Sequence, residues 1–151
     1  MPSSKLPKGL TGVAGEYFVA AELSRLGYVA SITLRNTRGI DILVSNATAT
    51  RQVAIQVKTN QKSKPEWVLN KKVETFYSDN LFYVFVNLKS PNERPDFYIV
   101  PSKVVANFVR TDHQNWLETP GKDGQPHKDN PVRKFRDPEG QFLERWDLLG
   151  L

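Results

Sequence analysis

The sequence contains no cysteine among its 151 residues. Disulfides, thiolate nucleophiles and zinc–sulfur sites are therefore excluded, and the composition suits the reducing cytoplasm, where we expect the protein to act. The two histidines, His113 and His127, lie in polar surroundings and lack the spacing of metal ligands, so both are interpreted as surface residues. Any catalysis must therefore use carboxylates, amines, hydroxyls or a hard metal ion bound through oxygen.

Long apolar runs are also absent. No run approaches the roughly 18 to 20 residues that a membrane helix requires, and the first nine residues have no apolar signal core. With 39% hydrophobic and 11% aromatic residues, the chain has the composition of a folded globule. We expect one domain, with a loose leader at 1–9, a core at 10–110, a polar loop at 111–135 and a C-terminal helix at 136–151.

The net charge of +5 is concentrated in one part of the chain. Residues 51–72 contain six basic residues and one acidic residue, so the other 15 basic and 15 acidic residues cancel. Clustered lysine and arginine indicate a polyanionic partner such as nucleic acid. The alternative is a solvated lysine-rich loop that favours solubility.

A β-hairpin is predicted directly before and within this basic segment. Apolar residues alternate on both sides of a polar turn at about residues 45–50, as in an antiparallel hairpin with one buried face. That face carries Ile40, Ile42, Val44, Val53, Ile55 and Val57. The opposite face carries Asp41, Leu43, Ala54, Gln56 and Lys58. Asp41 then lies within roughly one cross-strand step of Gln56, and an acid, an amide and an amine share one face.

The flanking sequence predicts further helices and strands. We expect a helix over 10–27, strands over 28–34, 81–88 and 96–100, a short helix over 70–78 and helices over 101–109 and 142–151. The almost wholly apolar segment 81–88 is typical of a central strand covered on both faces. Residues 119–131 are too polar and turn-forming for a core.

Glu16 falls in the apolar, small-residue stripe of the first predicted helix. A buried carboxylate is costly unless it is paired, protonated or bound to a metal. Glu16 is therefore a candidate functional acid. The alternatives are a first-turn acid favoured by the helix dipole and an acid paired with a nearby arginine.

The candidate residues suit one kind of chemistry. The carboxylates of Asp41 and Glu16 and the amide oxygen of Gln56 are hard ligands suited to Mg²⁺ or Mn²⁺. Lys58 beside them can orient or help deprotonate an attacking water. Together they fit metal-assisted phosphodiester hydrolysis. Individually, Lys58 also fits a solvated strand end, and Asp41 a turn residue.

Three short motifs resemble the PD-(D/E)XK nuclease superfamily. They are Gly15-Glu16, Gly39-Ile40-Asp41 and Gln56-Val57-Lys58-Thr59. Their spacing is similar to that of archaeal Holliday-junction resolvases and of the catalytic domain of methylation-dependent restriction enzymes, over about residues 10–110. The resemblance implies a restriction-endonuclease-like α/β fold, a three-layer α-β-β-β-α-β core whose mixed central sheet is flanked by helices. It also implies a Mg²⁺- or Mn²⁺-dependent DNA endonuclease.

The resemblance assigns a role to each candidate. Asp41 would be the metal-binding acid, Gln56 would occupy the Asp/Glu position, Lys58 would be the motif lysine and Glu16 the helical acid of some branches. Gln56 departs from the pattern, because an amide lowers the negative charge of the site by one unit and should weaken metal binding unless Glu16 supplies the carboxylate. A Gln-x-Lys form is found in the methylation-dependent group.

Partners follow from the same features. Phosphate contacts are expected from Arg38, Lys62, Lys64, Lys71 and Lys72. Trp67 would stack on the substrate or pack inside the protein. Because paired cuts on duplex DNA often require two sites, a homodimer is an expectation to test. Two other functions stay open: a nucleic-acid-binding module that does not cut, and an interaction subunit that docks a partner through residues 146–149.

Overall fold

The computed structural model describes residues 5–34, 39–62 and 64–151. Arg38, a predicted phosphate contact, lies outside the described residues. The two α-helices are α1 (Lys8–Arg25) and α2 (Ser102–Glu118), and 3₁₀ turns occur at Lys71–Glu74 and Trp146–Leu149. The strands are β1 (Val29–Ile32), β2 (Ile42–Ser45), β3 (Gln52–Asn60), β4 (Glu66–Asn70), β5 (Leu81–Asn87), β6 (Asp96–Pro101) and β7 (Val132–Arg136). Neither helix in these ranges is long and apolar enough to cross a membrane.

A five-stranded mixed sheet forms the centre of the protein, in the order β1-β2-β3-β5-β6. The pairs β1-β2, β2-β3 and β5-β6 are antiparallel, whereas β3 and β5 are parallel. All seven residues of β5 are buried. The structure confirms the predicted mixed α/β fold and the fully covered central strand.

Each face of the sheet packs against one α-helix. On the first face, Ile55 and neighbouring strand residues form a core with Val19 and Leu23 of α1. On the second face, Tyr83 and Phe85 form a core with residues of α2. The result is three layers, helix on sheet on helix.

The helix predicted over residues 70–78 is only a 3₁₀ turn, Lys71–Glu74. Asn70 begins it by accepting a hydrogen bond from the backbone N–H of Lys72 at 3.0 Å. The following residues, Thr75 to Asn80, are weak helix formers, so the turn does not propagate. The second α-helix, α2, follows β6, where the sequence predicts a helix over 101–109.

The C-terminal expectations are wrong in detail. Within the predicted polar loop 111–135, α2 continues to Glu118 and β7 begins at Val132, where it pairs with β4 in a second, two-stranded sheet. Residues 136–151 contain a 3₁₀ turn and no α-helix. The carboxylate of Asp137 accepts the backbone N–H groups of Gln141 and Phe142, each at 2.8 Å, and this local bonding competes with helix formation.

The 3₁₀ turn Trp146–Leu149 packs into the protein interior. Both end residues are buried, and the Trp146 indole lies 5.6 Å from the Phe97 ring, centroid to centroid. These side chains belong to the core on the α1 face of the sheet. The segment therefore stabilises the fold and does not present the docking surface that one alternative function required.

Candidate functional site

The β2–β3 hairpin has the predicted register. Ile42 lies opposite Ile55, and the backbone N–H of Asp41 donates to the carbonyl of Ile55 at 2.8 Å. The regular pairing ends at Ile42, and Asp41 lies just before β2, where its N–H bonds to Ile55 and not to Gln56. Because side chains alternate between faces and Ile55 and Val57 pack with α1, Gln56 and Lys58 share the face turned away from α1.

The Asp41 carboxylate is held in place by the neighbouring strand. Its Oδ2 accepts a hydrogen bond from the backbone N–H of Val57 at 2.7 Å, and the side chain is half-buried. The bond restricts the rotation of the carboxylate and engages one of its oxygens. A carboxylate has a second oxygen with which to contact a cation.

Lys58 is a half-buried amine on the same face. Burial lowers its pKa, while the negative charge of Asp41 acts in the opposite direction and the positive charge of Lys8 lowers the pKa further. Lys58 is therefore close enough to Asp41 and to Lys8 at the beginning of α1 to interact electrostatically with both. The site therefore contains a cation as well as a carboxylate.

Glu16 approaches from the other side of the sheet. The preceding residue, Gly15, lies so close to β3 that a Cβ atom there would be 1.8 Å from the Oγ1 of Thr59. This contact places Glu16, which is half-buried, near the end of β3 that carries Lys58. However, α1 packs on the face of β3 opposite to Gln56 and Lys58.

The donor set fits a hard divalent cation with few protein ligands. Among residues 5–34, 39–62 and 64–151, no three His, Cys, Asp or Glu side chains form a group that could hold a metal ion. The candidate donors on the hairpin face are one carboxylate and one amide oxygen. Mg²⁺ commonly uses only one or two carboxylates and retains waters or substrate phosphates for its other positions, so this set is compatible with it.

The predicted phosphate contacts fall into two groups. Lys62 and Lys64 lie in the loop after β3, whereas Lys71 and Lys72 lie in the 3₁₀ turn after β4. All four are exposed, and none forms an ion pair with another described residue. The five residues of β4 separate the two groups by roughly 17 Å. The lysines expected to form one basic strip therefore form two separate pairs in the structure.

An aromatic contact beside the site was not predicted from the sequence. Gly39 has φ +61°, and a Cβ atom there would lie 2.6 Å from Cε1 of Phe76. The Phe76 ring therefore packs directly on the backbone two residues before Asp41. The glycine in the Gly-Ile-Asp motif was the available signal, because it permits both the left-handed conformation and this close approach.

The structure decides between the two alternatives for Trp67 and corrects the interpretation of His113. The indole of Trp67 is 2% exposed and donates to the carbonyl of Val86 at 3.0 Å, so Trp67 packs inside the protein and does not face a substrate. His113 is also buried, and its Nε2 lies 2.8 Å from Oδ1 of Asp129. The interpretation of His113 as a surface residue was wrong, because its ring stacks on that of Trp116 and bonds to Asp129, which is distant in sequence.

Comparison with solved structures identifies the fold. The bacterial homing endonuclease I-Ssp6803I superposes with a TM-score of 0.56 and 13% sequence identity, over 97% of this chain and 94% of that one. The chain has a restriction-endonuclease-like fold. Hjc, a Holliday junction resolvase from the archaeal hyperthermophile Archaeoglobus fulgidus, gives a TM-score of 0.49 and 17% identity, over 92% of this chain and 95% of that one.

Comparisons at the level of sequence found no match for this chain. No protein-family model matches it, and no curated protein gives a significant match. The restriction-endonuclease-like fold is therefore established by three-dimensional similarity, and the candidate residues rest on their own geometry.

Proposed function

We propose that this protein hydrolyses phosphodiester bonds in nucleic acid with the help of a divalent metal ion, acting as a DNA endonuclease. The observation that carries the proposal is the position of the Asp41 carboxylate, which accepts the N–H of Val57, the residue between Gln56 and Lys58 in β3. The similarity to a homing endonuclease supports it at the level of the fold.

Each residue has a distinct proposed role. Asp41, the amide oxygen of Gln56 and the carboxylate of Glu16 would hold Mg²⁺ or Mn²⁺. When bound, the ion would supply positive charge against the phosphate. Lys58 would donate hydrogen bonds to the attacking water or to a phosphate oxygen, which its position beside Asp41 allows.

The exposed cations would hold the nucleic acid backbone. Lys71 and Lys72 lie just before the segment that contacts Gly39, so they would bind phosphates near the site. Lys62 and Lys64 would bind phosphates further away, and Arg38 is proposed as a contact from the sequence alone. Binding should therefore weaken steeply as salt increases.

The experiment is a cleavage assay with duplex, junction, flap and single-stranded DNA in Mg²⁺ or Mn²⁺. We expect cleavage by the wild-type protein and its loss with chelator, in Asp41→Asn and in Lys58→Ala. Asparagine retains an oxygen that can accept the Val57 N–H, so the fold should persist. Asp123→Asn, which changes an exposed acid outside the site, is the matched control. Cleavage that survives chelation or the Asp41 change would contradict the mechanism.

A second candidate is a nucleic-acid-binding module that does not cut. Two observations favour it: an amide occupies the position expected for an acid, and the described residues contain no three-acid group. In that case DNA binding should weaken with salt, while Asp41→Ala leaves affinity equal or improved because a negative charge near phosphate is removed. Failure to bind any nucleic acid at low salt would eliminate this candidate.

The assembly state is a separate proposal. Two copies would allow paired cuts on the two strands of a duplex, so we propose a homodimer on DNA. Sedimentation of the protein with a duplex probe should then show two chains per probe. A single chain at all protein concentrations would exclude this arrangement.

A further inference from the structure

A cavity of about 490 Å³ lies beside the candidate site. Leu43 and Ala54 line it, and they pair with each other two residues along the strands from Asp41 and Gln56. Two residues of extended strand span roughly 7 Å, which is about the rise of two stacked nucleotides. The cavity is therefore within reach of the strand whose phosphate would occupy the site.

Two exposed aromatic residues form the outer wall of this hairpin cavity. Phe76 is 39% exposed and Tyr77 is 47% exposed. Their segment is fixed by its backbone: Ser78 donates its N–H to Oγ of Ser102 at 3.1 Å, and that hydroxyl donates to the Ser78 carbonyl at 3.0 Å. The rings are thus presented by a braced segment, and Phe76 also contacts Gly39.

Positive charge adjoins the aromatic wall. Lys71 and Lys72 begin the 3₁₀ turn Lys71–Glu74, which precedes Thr75 and Phe76, and both are exposed without an acidic partner among the described residues. An apolar cavity with exposed ammonium groups a few residues away along the chain matches a ligand with a flat aromatic part and a negatively charged part. A nucleotide has both.

Two polar residues at the cavity could form hydrogen bonds with the edge of a nucleobase. The side chains of Asn80 and Gln52 line it, and neither hydrogen bonds to another described residue. Amide side chains can both donate to and accept from a base edge. These groups favour a nucleobase over a purely hydrocarbon ligand.

We propose that the hairpin cavity binds an unpaired nucleobase of the strand held in the candidate site. The proposal rests on the proposed function and makes its substrate more specific. The volume of the hairpin cavity lies in the range of small-ligand pockets. A base inside a duplex is stacked and cannot enter the cavity. The preferred substrate would therefore be single-stranded, bulged or able to extrude one nucleotide near the cut.

The test is a binding measurement made in chelator, so that cleavage does not enter. Fluorescence anisotropy would compare the full chain on two labelled DNA duplexes, one with a single bulged adenosine and one with an abasic residue in the same bulge. We expect about tenfold tighter binding to the probe with the base, as stacking on aromatic side chains implies. The preference should be largely lost in Phe76→Ala and in Leu43→Trp, which fills the cavity from the opposite wall.

Phe18→Ala is the matched control, because Phe18 is a similarly exposed phenylalanine (43%) on α1, away from the cavity. It should retain the preference, and thermal unfolding would verify that all variants fold. Equal wild-type affinity for the two probes, or a preference that survives in Leu43→Trp, would overturn the proposal.

The two proposals can fail separately. A base preference without cleavage in Mg²⁺ or Mn²⁺ would support the cavity and contradict the nuclease. Cleavage without a base preference would support the nuclease and contradict the assignment of the cavity. Binding to neither probe would overturn the cavity assignment.

Discussion

The two faces of the β2–β3 hairpin differ in burial and polarity although they belong to the same strands. On the α1 face, Ile42 and Ile55 are fully buried in a continuous apolar core. On the other face, Gln56 and Lys58 are half-buried polar groups near the Asp41 carboxylate, and Leu43 remains 51% exposed beside a cavity.

The difference separates stability from proposed function. Burial of apolar area on the α1 face stabilises the folded state. The polar face instead contains the partly buried Lys58, and this burial lowers the lysine pKa because it disfavours the charged form. A protein under selection for stability alone would not gain from that arrangement. Substitutions on the two faces should therefore affect different measurements.

The largest expected effect is on cleavage, in Lys58→Met. Methionine retains most of the side-chain volume but cannot donate hydrogen bonds, so the cleavage rate should fall by about 10²- to 10⁴-fold. The free energy of unfolding should stay unchanged or rise, because burial of the ammonium group is the main cause of the lowered Lys58 pKa. Single-turnover kinetics and urea unfolding measure the two quantities.

Lys122→Met is the control for this change, since Lys122 is exposed in the turn-rich segment after α2. It should leave both cleavage and unfolding almost unchanged. A large loss of stability in Lys58→Met would mean that the ammonium group supports the fold, and the contrast between the faces would fail.

The second largest effect is on stability, in Ile55→Ala. Removing a fully buried side chain from the α1 face should lower the free energy of unfolding by about 2 to 5 kcal/mol. Leu43→Ala, on the cavity face, should lower it by less than about 1 kcal/mol because the side chain is already half in water. Urea unfolding of both variants tests the contrast, and similar losses would show that Leu43 is part of the core.

Sequence periodicity was sufficient to predict the hairpin and the central strand. The alternation of Val53, Ile55 and Val57 and the apolar run of β5 are local signals, and the structure has both. The resemblance supplied the fold class. The register of β2 with β3 was also predictable, because it depends only on a short turn.

The parts that were missed depend on contacts between distant residues. In β7, the inward position of Arg133 interrupts the apolar alternation, since its buried guanidinium pairs with Glu74 at 3.0 Å. The strand also pairs with β4, more than sixty residues earlier. The cavity and the contact of Phe76 with Gly39 likewise require the folded chain.

A smaller effect is expected where α1 meets the sheet. Gly15→Ala should lower the free energy of unfolding by about 1 to 3 kcal/mol, because the added methyl group would collide with Thr59 and push the helix away. Cleavage should also fall, since Glu16 would move with the helix. Thermal unfolding and the cleavage assay measure the two consequences.

Gly12→Ala in the same helix provides the opposite result. No atom lies within 4 Å of a Cβ at Gly12, so alanine should stabilise the helix by up to about 1 kcal/mol. Equal behaviour of the two variants would show that close packing of α1 on β3 is not required.

The smallest expected effect concerns Tyr83, which neighbours Gln56 in the parallel β3–β5 pair. Its hydroxyl is buried and has no hydrogen-bond partner among the described residues, so Tyr83→Phe should raise the free energy of unfolding by about 1 kcal/mol at pH 7. Burial raises the pKa of Tyr83 to about 12. Because the unfolded phenol ionises first, near pH 10, wild-type stability should fall as pH rises from about 10 to 12, and Tyr83→Phe should lack this part of the loss.

Urea unfolding at pH 7 and pH 11 measures the difference, with Tyr17→Phe as the control because Tyr17 is mostly exposed. A loss of stability in Tyr83→Phe at pH 7 would reveal a partner for the hydroxyl. A loss of cleavage with stability retained would instead bring Tyr83 into the polar site. Either result would add Tyr83, a residue of the central strand β5, to the polar face that Gln56 and Lys58 form on the hairpin.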